Sequence, residues 1–361
     1  MASQRLNFAD MMKGVTILVM VIYHILAPCG FKTFINHILA SALVVFFFYS
    51  GYFYKPGAKP FLENLKSRAK ALLIPFFKYS LFFWLVGSIV MVIQKVEPIN
   101  EAFLCLRNFF AGCIWNRNIQ DWFGWEYYHL GKRYSFLGDF WFLIAMMFAS
   151  IIFFPIADRV LKSAVKTIIA VVLLFAITGA LRTYQITLPY NLQLVPFWAG
   201  CLLLGTLAGQ YKLLEIKAFE GAKEVVLAII SLGIGIAICM YKEPDLNTYR
   251  GTFVENEVYN MTLVIVSSIF IIWGGSVLCK CIESAGIRVK EISWLGSHSL
   301  LIYLYHMFFA WIICQITGFS MKYEEPVEMA TVGKSALLCA ACLTLCILRY
   351  VIEDKIKAGK E

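Results

Sequence analysis

The sequence predicts an all-α integral membrane protein, a bundle of about ten transmembrane helices forming one polytopic domain over residues 1–361 with both termini cytoplasmic. Three observations predict it. Of the 361 residues, 60% are hydrophobic and only 15% are charged, a balance that soluble domains do not carry. The mean hydropathy is +0.72, and the apolar residues come in continuous runs of spanning length, which in lipid means helices and not the alternating pattern of a barrel. The basic residues recur in alternate loops, which fixes which side those loops face.

Ten apolar stretches follow in order, over 12–29, 37–54, 72–93, 136–155, 167–181, 192–209, 225–241, 261–279, 297–316 and 332–350. The fifth is the shortest. The loop after the second stretch holds Lys55, Lys59, Lys66, Arg68 and Lys70, and every second loop after it is basic too. Together with Arg5, Lys13, Arg349 and the tail, about 20 of the 32 basic residues fall on one side, which the positive-inside rule makes cytoplasmic. Termini on the same side require an even number of crossings. The net charge of +9 is accounted for by these loops, so no nucleic-acid partner is expected. The first apolar run is too long for a cleavable signal peptide, and no soluble domain is appended. The 11 cysteines fall mostly inside apolar runs without ligand spacing, so no metal site is expected.

The first helix carries the most chemistry. Residues 5–29 read RLNFADMMKGVTILVMVIYHILAPC, a polar lead with Asp10 and Lys13 followed by a span that contains His24. An ionisable group at membrane depth is costly and marks a functional position. Asp10, Lys13, Ile17, Val21 and His24 share one helical face. Asp10 and His24 are fourteen positions apart, roughly 21 Å along the axis, so the carboxylate does not orient the imidazole. The helix has two chemical places at two depths. A plain anchor helix, with the histidine bonded to a nearby carbonyl, is the alternative. The long external connection, 94–135, concentrates Trp115, Trp122, Trp125, Tyr127 and Tyr128 among Arg117, Asp121, Glu126 and Arg133. It reads either as an interfacial aromatic belt or as a platform on which sugar rings stack.

Four stretches taken together resemble a known family: FADMMKGVTILVMVIYH (8–24), VVFFFYSGYFYKP (44–56), DFWFLIAMMF (139–148) and WLGSHSLLIYLYHMFF (294–309). In this order and spacing they are similar to the membrane acyltransferase family 3. The Lys-Gly after the acid resembles its sugar O-acetyltransferase, fucose 4-O-acetylase-like branch. The resemblance implies a multi-pass enzyme of a bacterial-type cell membrane. It would move an acetyl or other short acyl group from acetyl-CoA, a substrate and not a resident cofactor, to a hydroxyl of a saccharide acceptor in a surface polysaccharide or glycolipid. It implies His24 as the catalytic residue, with Asp10 and Lys13 as the acid and base of the opening motif, and Ser50, Gly51 and Tyr52 as the Ser-Gly-aromatic motif. Where the family often carries two arginines three apart, this chain has Arg68 and Ala71, with Lys66 and Lys70 alongside.

Acyl transfer from a thioester to an alcohol needs a base, oxyanion donors and cations for the donor's phosphates. His24 supplies the base. Lys13, Arg68 and Lys70 are the phosphate candidates, and Ser50, Gly51 and Tyr52 the groups near the thioester, with close helix packing the alternative for the glycine. His306, mid-span, is a second base, a support or a structural hydrogen bond. Asp139 and Trp141 open the fourth stretch on the external side, and Arg133 and Arg182 are candidates for the acceptor. His37 and His298 fall at span ends and His129 in a loop, as interfacial or solvated groups. A homo-oligomer or a glycan-assembly machinery is compatible with such a protein. The competing function is a transporter or flippase for a lipid-linked saccharide, against which the chain shows no internal repeat.

Overall fold

The computed structural model describes residues 7–26, 34–93, 140–184, 186, 188–214, 222–242, 246–247, 252–253, 257–287, 289–319 and 329–358. Arg133, Asp139 and the aromatic segment 94–135 lie outside them, as does the side chain of His37.

A helix runs through the described part of each of the ten apolar stretches. In chain order these are α1 (Asn7–Leu26), α2 (Phe34–Tyr52), α3 (Phe61–Ile93), α4 (Trp141–Val160), α5 (Ala164–Thr183), α6 (Val195–Gln210), α7 (Ala222–Lys242), α8 (Glu257–Ser284), α9 (Lys290–Ser297), α10 (Ser299–Thr317) and α11 (Met329–Ala358). A 3₁₀ turn over Pro189–Leu194 leads into α6. The one strand pairing among the described residues joins Leu246–Asn247 to Thr252–Phe253, antiparallel. Among the described residues seven helices are long and apolar enough to cross a membrane, namely α1, α4, α5, α6 with its 3₁₀ lead, α7, α8 and α11. An eighth appears if α9 and α10 form one span, bent by 81° at His298. Helix α2 offers the shorter apolar run Ile38–Tyr52, and α3 is a 33-residue helix.

Local chemistry sets the ends. The fifth stretch, short in sequence, becomes a 20-residue helix because Ser163 caps it by accepting from the Lys166 N–H, which satisfies one of the donors a helix start leaves open. Helix α10 stops at Gly318, whose φ of 69° is the left-handed conformation that a helix C-terminus favours. Pro75 and Pro155 sit inside α3 and α4, each removing one backbone hydrogen bond, which spanning helices tolerate.

The chain packs as two compact units, residues 1–46, 214–245 and 261–361 in the first and 47–213 and 246–260 in the second. In the first, α1 lies across α9 with no side chains between the backbones. A Cβ on Gly14 would collide with the Ile292 carbonyl, and one on Gly296 with the Asp10 carbonyl. This is the small-residue crossing by which membrane helices approach without help from water. Helices α7 and α8 meet through Ala228, Val277 and Cys281. A polar clasp joins Ser41 of α2 to Ser267 of α8 at 2.8 Å, with Cys239 of α7 at 3.6 Å.

In the second unit α6 is the most deeply buried of the spanning candidates. Phe47 at the end of α2 stacks on Trp198 of α6 at 4.4 Å and meets Phe142 of α4 edge-on at 5.0 Å. Gly205 and Gly209 of α6 pass against the backbone of Phe48 and Tyr52, again a small-xxx-small crossing. Beyond α2, Asp158 accepts hydrogen bonds from the Tyr54 hydroxyl at 2.8 Å and the Gly57 N–H at 3.2 Å. Burial first, and then the Asp158 carboxylate, push the Tyr54 hydroxyl far above its ordinary pKa.

Candidate active site

His24 and His306 meet in the first unit. Their Nδ1 and Nε2 atoms are 2.7 Å apart, with the rings nearly coplanar, 14° between their planes and 5.0 Å between centroids. On α1, His24 follows Gly14 by ten residues of unbroken helix. Gly296 lies near the end of α9, before the 81° bend, and His306 lies about two turns into α10, so it is α10 beyond the bend that carries the second imidazole to α1. His306 is fully buried and His24 half-buried.

The hydrogen-bond partners assign the tautomers. His306 Nδ1 lies 2.8 Å from the Tyr303 carbonyl and 3.1 Å from that of Ile302. Carbonyls only accept, so Nδ1 of His306 carries the proton. In the neutral ring that leaves the lone pair on Nε2. His306 Nε2 is therefore an acceptor, and His24 Nδ1–H donates to it. The remaining lone pair on the His24 ring is on Nε2. A base oriented through its other nitrogen is the arrangement that general-base histidines use. The Cys342 thiol donates to the His306 carbonyl at 2.9 Å, tying α11 to the same turn of α10.

Asp10 and Lys13 form an ion pair at 2.7 Å, one turn apart on α1. Asp10 is 6% exposed. The helix runs unbroken from Asn7 to Leu26, so this pair and His24 stay at different depths, as the spacing requires. The structure does not bring Asp10 to the imidazole.

The remaining described candidates belong to the second unit. Gly51 is a packing position: its Cα faces the Leu202 backbone, where a Cβ would not fit, and its carbonyl accepts from the Thr206 hydroxyl at 2.9 Å. Tyr52 is buried beside Tyr49 and Phe48. The Arg68 guanidinium approaches the Ser50 carbonyl at 3.5 Å, the outer limit of a hydrogen bond. Lys66 and Lys70 are exposed and share a face of α3, whereas Arg68 points about 160° away from Lys70 by helical periodicity. Trp141 is buried 6.2 Å from Trp198.

Two groups escaped the sequence. Trp198 is fully buried, and its indole N–H has no hydrogen-bond partner among the described residues. The Gly205–Gly209 spacing in α6 was the legible signal for a tight crossing there. His298, expected to be interfacial or solvated, instead caps the break between α9 and α10. Its Nδ1 is 2.8 Å from both the Ser297 hydroxyl and the Trp294 carbonyl, and its ring stacks on Trp294 at 4.4 Å. Among the described residues no cluster of three or more His, Cys, Asp or Glu is placed to hold a metal.

No curated protein and no solved structure matches the chain significantly. An acyltransferase domain matches residues 6–351, nearly the whole chain and all the elements just described. The chain is thus a multi-pass membrane protein that belongs to the acyltransferase 3 family.

Proposed function

We propose that this protein is a membrane O-acyltransferase that moves an acetyl or other short acyl group from acyl-CoA to a hydroxyl of a saccharide, in a surface polysaccharide or glycolipid. The observation that carries the proposal is the His24–His306 pair, which leaves the lone pair of His24 on Nε2. The acceptor hydroxyl attacks the thioester carbonyl carbon as His24 Nε2 takes its proton. The tetrahedral intermediate collapses, the C–S bond breaks, and the thiolate takes that proton from the imidazolium. The products are an ester and free CoA, and His24 returns to its starting tautomer. His306 holds the ring and does not touch the reacting atoms.

In this mechanism Lys13, at the polar end of α1, attracts the donor's phosphates. The flexible pantetheine arm covers the depth between that end and His24. Arg133, Asp139, Trp141 and the 94–135 segment serve the acceptor. Ten crossings with both termini cytoplasmic deliver donor and acceptor from opposite sides of a bacterial-type cell membrane. The test is release of free CoA thiol by protein purified in detergent, with and without saccharide acceptor. Acceptor-dependent release that is lost in His24→Ala supports the proposal. Equal release by His24→Ala rejects His24 as the base, and thiol release indifferent to any acceptor rejects the transfer reaction.

A further inference from the structure

A cleft of about 550 Å³ opens in the first unit at the Asn7 end of α1, within the size range of small-ligand sites. Its walls come from three elements: Asn7 and Met11 of α1, Glu283 at the end of α8, and Lys290, Ser293 and Trp294 of α9. None of these residues takes part in the chemistry above. We propose that this cleft seats the adenine-nucleotide end of the acyl-CoA donor, an inference that rests on the acyl-CoA-dependent transfer proposed above.

The lining matches the parts of such a group. Trp294 offers an aromatic plane for the base, and its orientation is held from behind by the His298 ring at 4.4 Å and the Tyr350 edge at 4.9 Å. Base–aromatic stacking is a principal source of nucleotide affinity. Asn7 donates one amide hydrogen to Glu283 at 2.8 Å. That bond fixes the amide with its carbonyl oxygen available as an acceptor, the type of group that meets the adenine amino edge. Lys290 is exposed at the rim and supplies a cation for phosphate, while the Ser293 hydroxyl serves the ribose. Glu283 is the one carboxylate of the lining, and its bond to Asn7 turns it toward α1.

Position supports the assignment. Met11, on the cleft wall, precedes His24 by thirteen residues on one unbroken helix, about 20 Å of rise. A nucleotide seated here would leave its long arm to run along α1 toward the imidazole pair.

The experiment uses purified full-length protein in detergent and reads binding and turnover separately. Calorimetric titration with CoA should give saturable binding that ADP displaces, and Lys290→Ala and Ser293→Trp should each weaken it about tenfold. In turnover, the same variants should raise KM for acetyl-CoA about tenfold and leave kcat unchanged. With acetyl-pantetheine, which lacks the nucleotide, they should match wild type. Unchanged CoA affinity in both variants overturns the inference. So does an equal loss with both donors, which marks a purely structural role. Full CoA binding without transfer to any acceptor would overturn the transferase reaction alone, because the binding arm assigns the cleft independently. Tight ADP binding that does not displace CoA would assign the cleft to a separate nucleotide, against the inference.

Discussion

The hydrogen bond from His24 to His306 makes a quantitative prediction. In His306→Ala the His24 Nδ1–H loses its acceptor at membrane depth, where 2.7 Å had separated the two nitrogens. Leaving a buried donor unpaired costs about 1–3 kcal/mol, and the tautomer with Nε2 as the base is no longer favoured by that amount. If the whole cost appears in the transition state, kcat falls by roughly 5- to 150-fold. Removing the base itself in His24→Ala should cost about 10²- to 10⁴-fold. The assay is acceptor-dependent release of CoA thiol under saturating acyl-CoA, with CoA affinity measured alongside. KM for the donor should not move, because His306 touches no donor atom in the mechanism. His306→Asn, which keeps a side-chain acceptor, should recover part of the rate. In a His24→Ala background, His306→Ala should have no further effect, since it works only through the first ring. Wild-type kcat in His306→Ala, or losses that simply multiply in the double variant, would refute the pairing as a functional device.

Other perturbations separate packing from chemistry. Gly296→Ala should lower thermal stability by about 1–3 kcal/mol, the range for overpacking a tight contact, whereas Gly333→Ala, with open space around its Cα, should change it by under about 0.5 kcal/mol. Equal melting shifts for the two would disprove the α1–α9 crossing. Asp10→Asn should destabilise the fold while sparing CoA release per folded molecule, because the carboxylate lies far from His24; a selective loss of kcat would contradict its placement. Tyr54 gives a pH test. Its raised pKa means that the bond to Asp158 contributes fully below the ordinary tyrosine value of about 10 and fades as pH climbs beyond it. The stability gap between wild type and Tyr54→Phe should therefore be constant near neutrality and close above that pH. A gap that widens in alkali would reverse the sign.

Much of the fold was legible because lipid restricts the choices. Long apolar runs have to be helical there, so a helix runs through the described part of each stretch, and the short fifth one gained its length from a serine cap just upstream. The separation of Asp10 from His24 followed from helical rise alone. Tertiary partnerships were not legible in the same way. Nothing local in YLYH distinguishes an imidazole that bonds its own helix from one that reaches another, and His306 does both. The Ser-Gly-Tyr motif divided once helix crossings were seen, with Gly51 set by the Leu202 backbone it touches. The break at His298 falls at the very start of the 297–316 stretch, where hydropathy marks the onset of an apolar run and does not register a change of direction. Arg68 and Lys70 looked like a cluster in sequence, but two positions along a helix put them on nearly opposite sides.

The contact between Gly14 of α1 and Gly296 of α9 acts as a ruler with a fixed zero. Backbone touching backbone cannot slide without a collision, so the glycines decide which rung of one helix faces which rung of the other. One extra residue between Gly14 and His24 on the unbroken α1 would swing the imidazole by about 100° and carry it 1.5 Å onward. Evolution can therefore remodel the side chains lining this seam freely, but it cannot lengthen α1 between its glycine and its imidazole without parting the two rings.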